Sequence, residues 1–197
     1  MLTPPGAPLP RSFYTRDSRV VAPELLNKRL VRGDRAGRIV EVEAYAGAED
    51  PGSHAYRGLT ARNATMFGQG GLLYVYFTYG MHFCANVVCG EEGVATAVLL
   101  RGLTPECGLG EMHQLRPKAR TDAELCAGPG RLCQAFGIDR AMDGADVVTG
   151  DKGVIILDDG TPPPAPPGVS TRVGLSAGGA LPWRFYVPGA MGLSRRG

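Results

Sequence analysis

One segment, residues 72–88, restricts the fold more than any other part of this chain; it reads LLYVYFTYGMHFCANVV. Two runs rich in β-branched and aromatic residues flank Tyr79 and Gly80, and this pattern predicts a β-hairpin with Tyr79 at its tip. Tyr74 and Tyr76 share one face of the first strand because side chains alternate along a strand. An aromatic side chain at a hairpin tip has no core to enter, and minor-groove binders insert such wedges between base steps. The hairpin therefore favours a sheet-based fold and suggests a nucleic-acid partner.

A second predicted strand, GRIVEVEAY over residues 37–45, carries the first candidate chemical groups. A carboxylate beside an aromatic ring offers a general base next to a stacking platform. Taken alone, either glutamate of this strand is also compatible with a solvated surface charge. Alternation predicts a core face with Val40, Val42 and Ala44, and an opposite, exposed face with Ile39, Glu41, Glu43 and Tyr45.

The remaining patterns predict a mixed α/β (α+β) fold. Residues 22–32, APELLNKRLVR, predict an amphipathic helix that begins at Pro23. Residues 104–136 predict mainly helix, broken by AGPG at 127–130, and the stretches GVATAVLLR, GVIILDD and RFYV predict three more strands. We expect a single domain with a curved, mainly antiparallel sheet, surrounding helices and a protruding β-hairpin. The apolar face of the helix over 22–32 is predicted to hold Leu25, Leu26 and Leu30.

Length and composition limit the possible classes of protein. With 197 residues, 44% of them hydrophobic, the chain can bury one substantial core, so we expect one domain over residues 12–197. Residues 1–11 contain four prolines and are predicted to form a disordered arm. No stretch resembles a secretory signal or a membrane span, which predicts a soluble protein of the cytoplasm or nucleoid.

The cysteines and the net charge add little to the functional interpretation. Five cysteines without a C-x-x-C motif favour reduced, structural thiols, and we expect no metal and no cofactor. A net charge of +2 does not by itself indicate a polyanionic partner. The polar stretch of residues 46–71 is too long for an idle connector, so it is predicted to be functional.

Five stretches in order resemble the alkyladenine (3-methyladenine) DNA glycosylase family, the methylpurine-DNA glycosylases. They are GRIVEVEAYAGAEDPGSHAYRGLTARNATMF, GLLYVYFTYGMHFCANVV, VLLRGLTP, LCAGPGRLCQAFGI and RVGLSAGGALPWRFYV. The likeness extends from about Phe13 to Val187, so it covers nearly the whole chain.

The resemblance implies a role for each residue that matches a family motif. Glu43 of VEAY matches the catalytic base, and Asn86 matches a wall residue that clashes with the exocyclic amine of guanine. Tyr79 matches the side chain that fills the gap left in the duplex. The base-binding residues implied in this way are Tyr45, His54, Tyr76 and Asn86, and the DNA-binding residues are Tyr79, Met81 and Arg101.

What the resemblance implies is a monofunctional DNA glycosylase. Such an enzyme flips alkylated, deaminated or etheno purines out of double-stranded DNA and hydrolyses the N-glycosidic bond, which initiates base excision repair. Glu43 is expected to activate the attacking water. No lysine matches an amine nucleophile, so we expect no AP-lyase activity. The expected partner is duplex DNA containing a damaged purine, with no membrane association, and the protein is expected to be a monomer.

Several alternatives remain open from the residues alone. His54 is also compatible with a surface position, Asn86 with a turn cap and Arg101 with a structural ion pair. A helix–hairpin–helix glycosylase is weakly suggested by AGPGRLCQAFGI, and a non-catalytic DNA- or RNA-binding module would keep the wedge. A zinc deaminase is excluded because the chain has neither H-x-E nor P-C-x-x-C.

The pocket role of Asn86 makes a prediction about the hairpin register. Asn86 shares a face with Tyr76 only if the number of residues in the connection is odd, because side chains alternate. A connection of three residues, Tyr79 to Met81, with Gly80 at positive φ satisfies this requirement. The predicted pairs are then Thr78 with His82, Tyr76 with Cys84 and Tyr74 with Asn86.

Overall fold

A curled, half-barrel sheet of ten strands dominates the computed structural model, which describes residues 6–78 and 80–195. The strands are β1 (Ala7–Pro8), β2 (Arg29–Arg32), β3 (Arg35–Tyr45), β4 (Leu72–Thr78), β5 (His82–Cys89), β6 (Thr96–Cys107), β7 (Ala145–Asp146), β8 (Val154–Asp158), β9 (Gly168–Ser170) and β10 (Arg184–Tyr186). The helices are α1 (Arg11–Tyr14), α2 (Ser18–Leu25), α3 (Leu109–Leu115), α4 (Asp122–Leu125) and α5 (Pro129–Phe136), with 3-10 turns at Gly47–Glu49, Ala64–Phe67 and Arg140–Met142.

The strand order is β1-β8-β2-β3-β6-β5-β4-β7, and the paired strands of the described residues are all antiparallel. Strand β3 is long enough to pair with β2 through its first half and with β10 through its second half. Helices α2 and α5 pack on the apolar side of the sheet and bury the main core. The mixed α/β class and the curved antiparallel sheet are confirmed.

A β-bulge in β3 changes which residues face the core. Ile39 pairs with Leu103 and Glu41 with Gly102, so Val40 has no partner on β6. An extra residue in one strand inverts the alternation, which places Ile39 in the core with Val42 and Ala44. The prediction that Ile39 shares a face with the carboxylates was wrong for this reason. Glu41 and Glu43 do share a face, but both are fully buried rather than exposed.

The helix predicted over residues 22–32 lies elsewhere. Helix α2 begins at Ser18, where the Asp17 carboxylate accepts a hydrogen bond from the Arg19 amide, and it ends at Leu25. Pro23 therefore lies inside the helix rather than at its start, and Asn27 reverses the chain with φ +66°. The predicted leucines are all buried, but on two elements, because Leu25 ends α2, Leu26 follows it and Leu30 belongs to β2.

Two other boundaries also differ from the sequence predictions. Residues 1–5 lie outside the described residues, but Ala7–Pro8 pairs with β8 and Leu9 is buried, so the arm over 1–11 is ordered in its described part. Backbone pairing supplies the order that its composition did not indicate. Strand β6 continues to Cys107, beyond the predicted start of the helical region, and α5 begins at the AGPG break as expected.

The hairpin formed by β4 and β5 has the predicted register. Thr78 pairs with His82, and the connection between them holds three residues. Gly80 has φ +65°, and the Met81 amide donates to the carbonyl oxygen of Thr78 at 3.1 Å. Tyr79 lies outside the described residues, so the wedge assignment stays a prediction. The other predicted pairs are also confirmed: Tyr76 with Cys84 and Tyr74 with Asn86.

Candidate active site

A cavity of about 320 Å³ opens where β3, the β4–β5 hairpin and the loop over residues 46–71 meet. The hairpin register turns Tyr76 and Asn86 to the same side, and the loop brings His54 to them. The cavity is lined by Tyr45, Gly52, His54, Met66, Tyr74, Tyr76, Asn86 and Leu175. The structure thus brings together the residues predicted to bind a base: Tyr45, His54, Tyr76 and Asn86.

Aromatic rings belong to four of the eight residues that line the cavity: Tyr45, His54, Tyr74 and Tyr76. Tyr74 stacks on Tyr76 with ring centroids 5.4 Å apart, and His54 meets Tyr76 edge-on at 4.4 Å. Nδ1 of His54 lies 3.1 Å from the Tyr74 hydroxyl. Desolvation and the nearby Arg62 lower the pKa of His54, so its imidazole is neutral near pH 7. The wall therefore offers flat, uncharged faces.

Two buried polar side chains give the loop over residues 46–71 its shape. The Asp50 carboxylate accepts hydrogen bonds from the backbone amides of Ala46 and Gly52 and pairs with Arg172, with both side chains fully buried. Asn63 donates to the carbonyl oxygen of His54 at 2.9 Å. These contacts fix His54 at the cavity and explain why a long polar loop is ordered.

Next to Tyr45, but not among the residues that line the cavity, lies a group of buried charges that we call the carboxylate floor: Glu41, Glu43, Arg101 and Arg184. Oε2 of Glu43 accepts a hydrogen bond from the Tyr45 hydroxyl at 2.9 Å, which connects the floor to the cavity wall. Oε1 of Glu43 accepts from the Val173 amide at 2.7 Å and lies 3.3 Å from Nη1 of Arg101. Glu43 is thus fully buried, but it is held by three donors from three segments.

Glu41 differs from Glu43 in the number of its charged partners. Its Oε1 accepts from Nε of Arg101 at 3.0 Å and from Nε of Arg184 at 2.7 Å. Both its oxygens also accept from Ser194, Oε1 from the hydroxyl at 2.7 Å and Oε2 from the amide at 2.5 Å. Glu41 therefore has four donor contacts, from Arg101, Arg184 and Ser194, and none of these residues lines the cavity.

The protein environment moves the pKa values of these two carboxyl groups in opposite directions. Burial raises the pKa of Glu43, and the opposing effects of Arg101 and its hydrogen bonds do not cancel this. Burial acts on Glu41 as well, but the hydrogen bonds from Ser194 and Arg184 outweigh it and lower the pKa of Glu41. Because a general base works best when its pKa lies nearer the working pH, Glu43 is the better candidate.

Arg101 does not lie where a phosphate ligand is expected. Its side chain is 7% exposed, and its guanidinium is occupied by Glu41, Glu43 and Ser194. These contacts fit the alternative hypothesis that Arg101 forms a structural ion pair. A contact of Arg101 with a DNA phosphate stays a prediction.

The exposed surface next to Tyr76 carries a different set of residues, Arg62, Phe77 and Met81, which we call the rim; none of the three lines the cavity itself. Met81 at the hairpin tip is 70% exposed and Phe77 is 48% exposed. Arg62 donates to the carbonyl oxygen of Phe77 at 3.1 Å, and its guanidinium carbon lies 5.8 Å from the centre of the Tyr76 ring. Within the part of the chain that the structure describes, Arg62 has no acidic partner at salt-bridge distance.

Comparisons with known proteins agree with this geometry. The profile of the methylpurine-DNA glycosylase family matches residues 12–191. The chain belongs to this family. It is therefore a DNA glycosylase, an enzyme of DNA repair.

Curated relatives of the glycosylase carry the name "Putative 3-methyladenine DNA glycosylase". The relative from Burkholderia lata is 57% identical over 186 residues, which cover 94% of this chain and 90% of the relative. The relative from Streptomyces avermitilis is 50% identical over 93% of this chain and 89% of its own length. The relative from Methanocella arvoryzae is 46% identical over 95% and 96%, respectively. Among the described residues of the glycosylase, no helix is long and apolar enough to span a membrane.

Sequence reasoning missed three residues of this site. Arg62 lies in the loop over residues 46–71, which was predicted to be functional. A cationic residue in that loop was the sequence signal that could have identified it. Arg184 was assigned only to a strand, although the buried Glu41 requires a counterion. Ser194 lies beyond the matched motifs, and only the folded structure brings it to Glu41.

Proposed function

We propose that this glycosylase flips a damaged purine out of double-stranded DNA into the aromatic cavity and hydrolyses the N-glycosidic bond with a water activated by Glu43. The substrate class is alkylated, deaminated or etheno purines. Excision of such a base from the duplex initiates base excision repair. A damaged base leaves the stack at lower cost than a normal base, which supplies part of the selectivity.

One observation carries the proposal: a buried carboxylate with a raised pKa accepts a hydrogen bond from a tyrosine that lines the aromatic cavity. Glu43 contacts the Tyr45 hydroxyl, and Tyr45 lines the cavity with Tyr76. Cleavage of a glycosidic bond develops positive charge on the sugar, so a carboxylate stabilises this charge while it removes a proton from water. Burial raises the pKa of Glu43, and Arg101 beside it acts in the opposite direction and favours the ionised carboxylate.

The cavity wall supports purine recognition by stacking. Each stack of a base on an aromatic ring contributes about 1–3 kcal/mol. Some alkylated purines are cations, and a neutral π-rich wall attracts a cation more than it attracts a neutral base. Asn86 is 5% exposed and shares the Tyr76 face at the cavity, which supports the proposal that it opposes an additional amine such as that of guanine.

The rim supports DNA binding without strand cleavage. Arg62 is exposed and has no carboxylate partner among the described residues, as suits a phosphate ligand, and we assign it this role beside Tyr79 and Met81. Among the residues that line the cavity there is no lysine, so no amine is available for a Schiff base, and we propose a monofunctional enzyme that acts as a monomer.

Single-turnover excision from labelled duplexes tests the proposal. Duplexes with one hypoxanthine, ethenoadenine or 7-methylguanine are incubated with excess enzyme, and base release is measured before and after alkaline cleavage of the abasic site. We expect release without strand nicking, and a fall of at least ~100-fold for Glu43→Gln with lesion binding retained. Near wild-type release by Glu43→Gln, with loss in Glu41→Gln, would assign the base to the other carboxylate. Release of none of these lesions would refute the proposal.

A further inference from the structure

The carboxyl-terminal segment, residues 190–195, folds back over β6 and ends at the carboxylate floor. The Thr104 hydroxyl donates to the carbonyl oxygen of Met191 at 2.6 Å. Gly192 has φ +91°, and a Cβ atom there would overlap the carbonyl oxygen of Leu103. Only glycine permits this approach, and it directs the chain so that Ser194 enters the floor two residues later.

Ser194 contacts both an anion and a cation of the floor, Glu41 and Arg101. Its amide and hydroxyl donate to the two oxygens of Glu41, at 2.5 and 2.7 Å. The same hydroxyl accepts a hydrogen bond from Nη2 of Arg101 at 3.0 Å. A hydroxyl is the group that can donate to a carboxylate and accept from a guanidinium at once.

These contacts fix the orientation of Arg101. Its Nε is bound to Glu41 and its Nη2 to Ser194, so two corners of a rigid plane are held. The third corner, Nη1, then points at Oε1 of Glu43 from 3.3 Å. On the other side of Glu41, Nη2 of Arg184 donates to the carbonyl oxygen of Arg195 at 2.8 Å, which holds the segment in place a second time.

We propose that Ser194 is a positioning residue for the glycosylase reaction: through Arg101 it sets the charge that faces the Glu43 carboxylate, so the carboxyl-terminal segment belongs to the active site. This inference rests on the proposed role of Glu43 as the base. Neither Ser194 nor Glu41 touches the substrate in this scheme. Their effect reaches the reaction only through the guanidinium.

The physical consequence is a shift in the protonation of Glu43. The groups that face this carboxylate are Arg101, Tyr45, Glu41, Tyr76 and Cys84. Among them Arg101 is the cation, and it lowers the Glu43 pKa that burial raises. If the Ser194 hydroxyl is removed, Arg101 loses one of its two anchors and its interaction with Glu43 weakens. The Glu43 pKa then rises further, and less enzyme is active at mildly acid pH.

The pH profile of single-turnover excision tests this inference with Ser194→Ala, Ser194→Thr, Glu43→Gln and the control Ser12→Ala, which changes an exposed serine far from the floor in sequence. The acid limb is the pH range in which the excision rate falls as the pH decreases. For Ser194→Ala we expect this limb to move to higher pH by about 0.5–1 unit. A facing charge commonly shifts a carboxyl pKa by about 1–3 units, and in this variant Arg101 is loosened rather than removed. Lesion affinity should stay within about twofold, since no cavity contact changes. Ser194→Thr keeps the hydroxyl and should restore the wild-type limb.

The outcomes separate this inference from the proposed function. If Glu43→Gln is inactive and Ser194→Ala keeps the wild-type limb, Ser194 does not position Arg101 and the inference is wrong. A uniform loss of rate at every pH in both Ser194 variants, with a lower urea midpoint, would show a purely structural role and overturn it too. If instead Glu43→Gln excises at the wild-type rate, the proposed function fails at its base.

Discussion

The carboxylate floor is buried and the rim is exposed, and the two sets of residues differ in how their charges are compensated. In the floor, two glutamates and two arginines compensate each other at exposures of 7% or less. At the rim, Arg62 is exposed and uncompensated by any acidic residue of the described chain, and it donates to the carbonyl oxygen of the exposed Phe77. Buried charges that are paired hold a fixed geometry, whereas an exposed single charge remains available to a ligand.

This contrast explains why we assign DNA binding to Arg62, whereas the family resemblance pointed to Arg101. Arg101 lies in a strand and pairs with the buried carboxylates of Glu41 and Glu43, so we assign it to the proposed base rather than to DNA. Arg62 lies in a loop and is free to contact a phosphate. The division assigns rate to the floor and affinity to the rim, and the following predictions test it from the largest expected effect to the smallest.

Glu41→Ala is expected to lower the free energy of unfolding by about 3–5 kcal/mol, because it leaves Arg101 and Arg184 buried without their common partner. Urea unfolding measures this change. The matched control is Glu92→Ala, an exposed glutamate, for which we expect a change within about 0.5 kcal/mol. A loss below 1 kcal/mol in Glu41→Ala would mean that water enters the floor and that its charges are not truly desolvated.

The hairpin illustrates what could be predicted from the sequence. Its strands follow from alternation, and its register follows from parity once Asn86 is required to face the side of Tyr76. The family motifs supplied Glu43 and the cavity residues because these residues lie in continuous stretches of sequence. Such features are local, so a pattern can carry them.

The floor shows what could not be predicted. The bulge at Val40 inverts the alternation in β3, and nothing in GRIVEVEAY marks that position. The partners of Glu41 come from β6, β10 and the carboxyl-terminal segment, more than 50 residues away along the chain. Burial of a glutamate depends on such distant partners, so both carboxylates were expected to be exposed. Helix α2 was misplaced because three leucines fit a helix and a strand equally well.

Tyr76→Ala should weaken binding to lesion-containing DNA by about 1–3 kcal/mol, since one base–aromatic stack is lost. Binding is measured in the Glu43→Gln background so that the lesion stays intact, and an undamaged duplex is titrated in parallel. The matched control is Phe77→Ala, the neighbouring residue on the opposite face, which pairs with Phe83 at the rim. It should weaken binding to both duplexes equally, whereas Tyr76→Ala should reduce the preference for the lesion. An unchanged preference in Tyr76→Ala would place the flipped base elsewhere.

The pH dependence of single-turnover excision should show an acid limb that belongs to Glu43. The base must be ionised, and burial raises its pKa, so the rate is lost as pH falls through a value above the ordinary range of glutamate, by about tenfold per unit. The folded pKa of Glu41 is lowered, so its stabilisation persists above the unfolded pKa and is lost only at more acid pH. The protein should thus stay folded over the pH range of the acid limb, and circular dichroism at each pH checks this. A limb that coincides with unfolding would contradict the assignment to Glu43.

Arg62→Ala should produce the smallest effect. It tests most directly whether the rim affects DNA affinity without affecting the excision rate. Loss of one phosphate contact reduces the slope of log K against log salt by about one, which corresponds to about 3–4-fold between 50 and 200 mM salt. The effect should be the same for damaged and undamaged duplexes, because a phosphate contact carries no information about the base. The single-turnover rate at saturating enzyme and its acid limb should stay at the wild-type values, since Arg62 makes no contact with the floor within the described residues.

Arg120→Ala, which changes an exposed arginine that does not line the cavity, is the control and should keep the wild-type slope. A shift of the acid limb in Arg62→Ala would show that the rim and the floor are electrostatically coupled, and the division between affinity and rate would then fail.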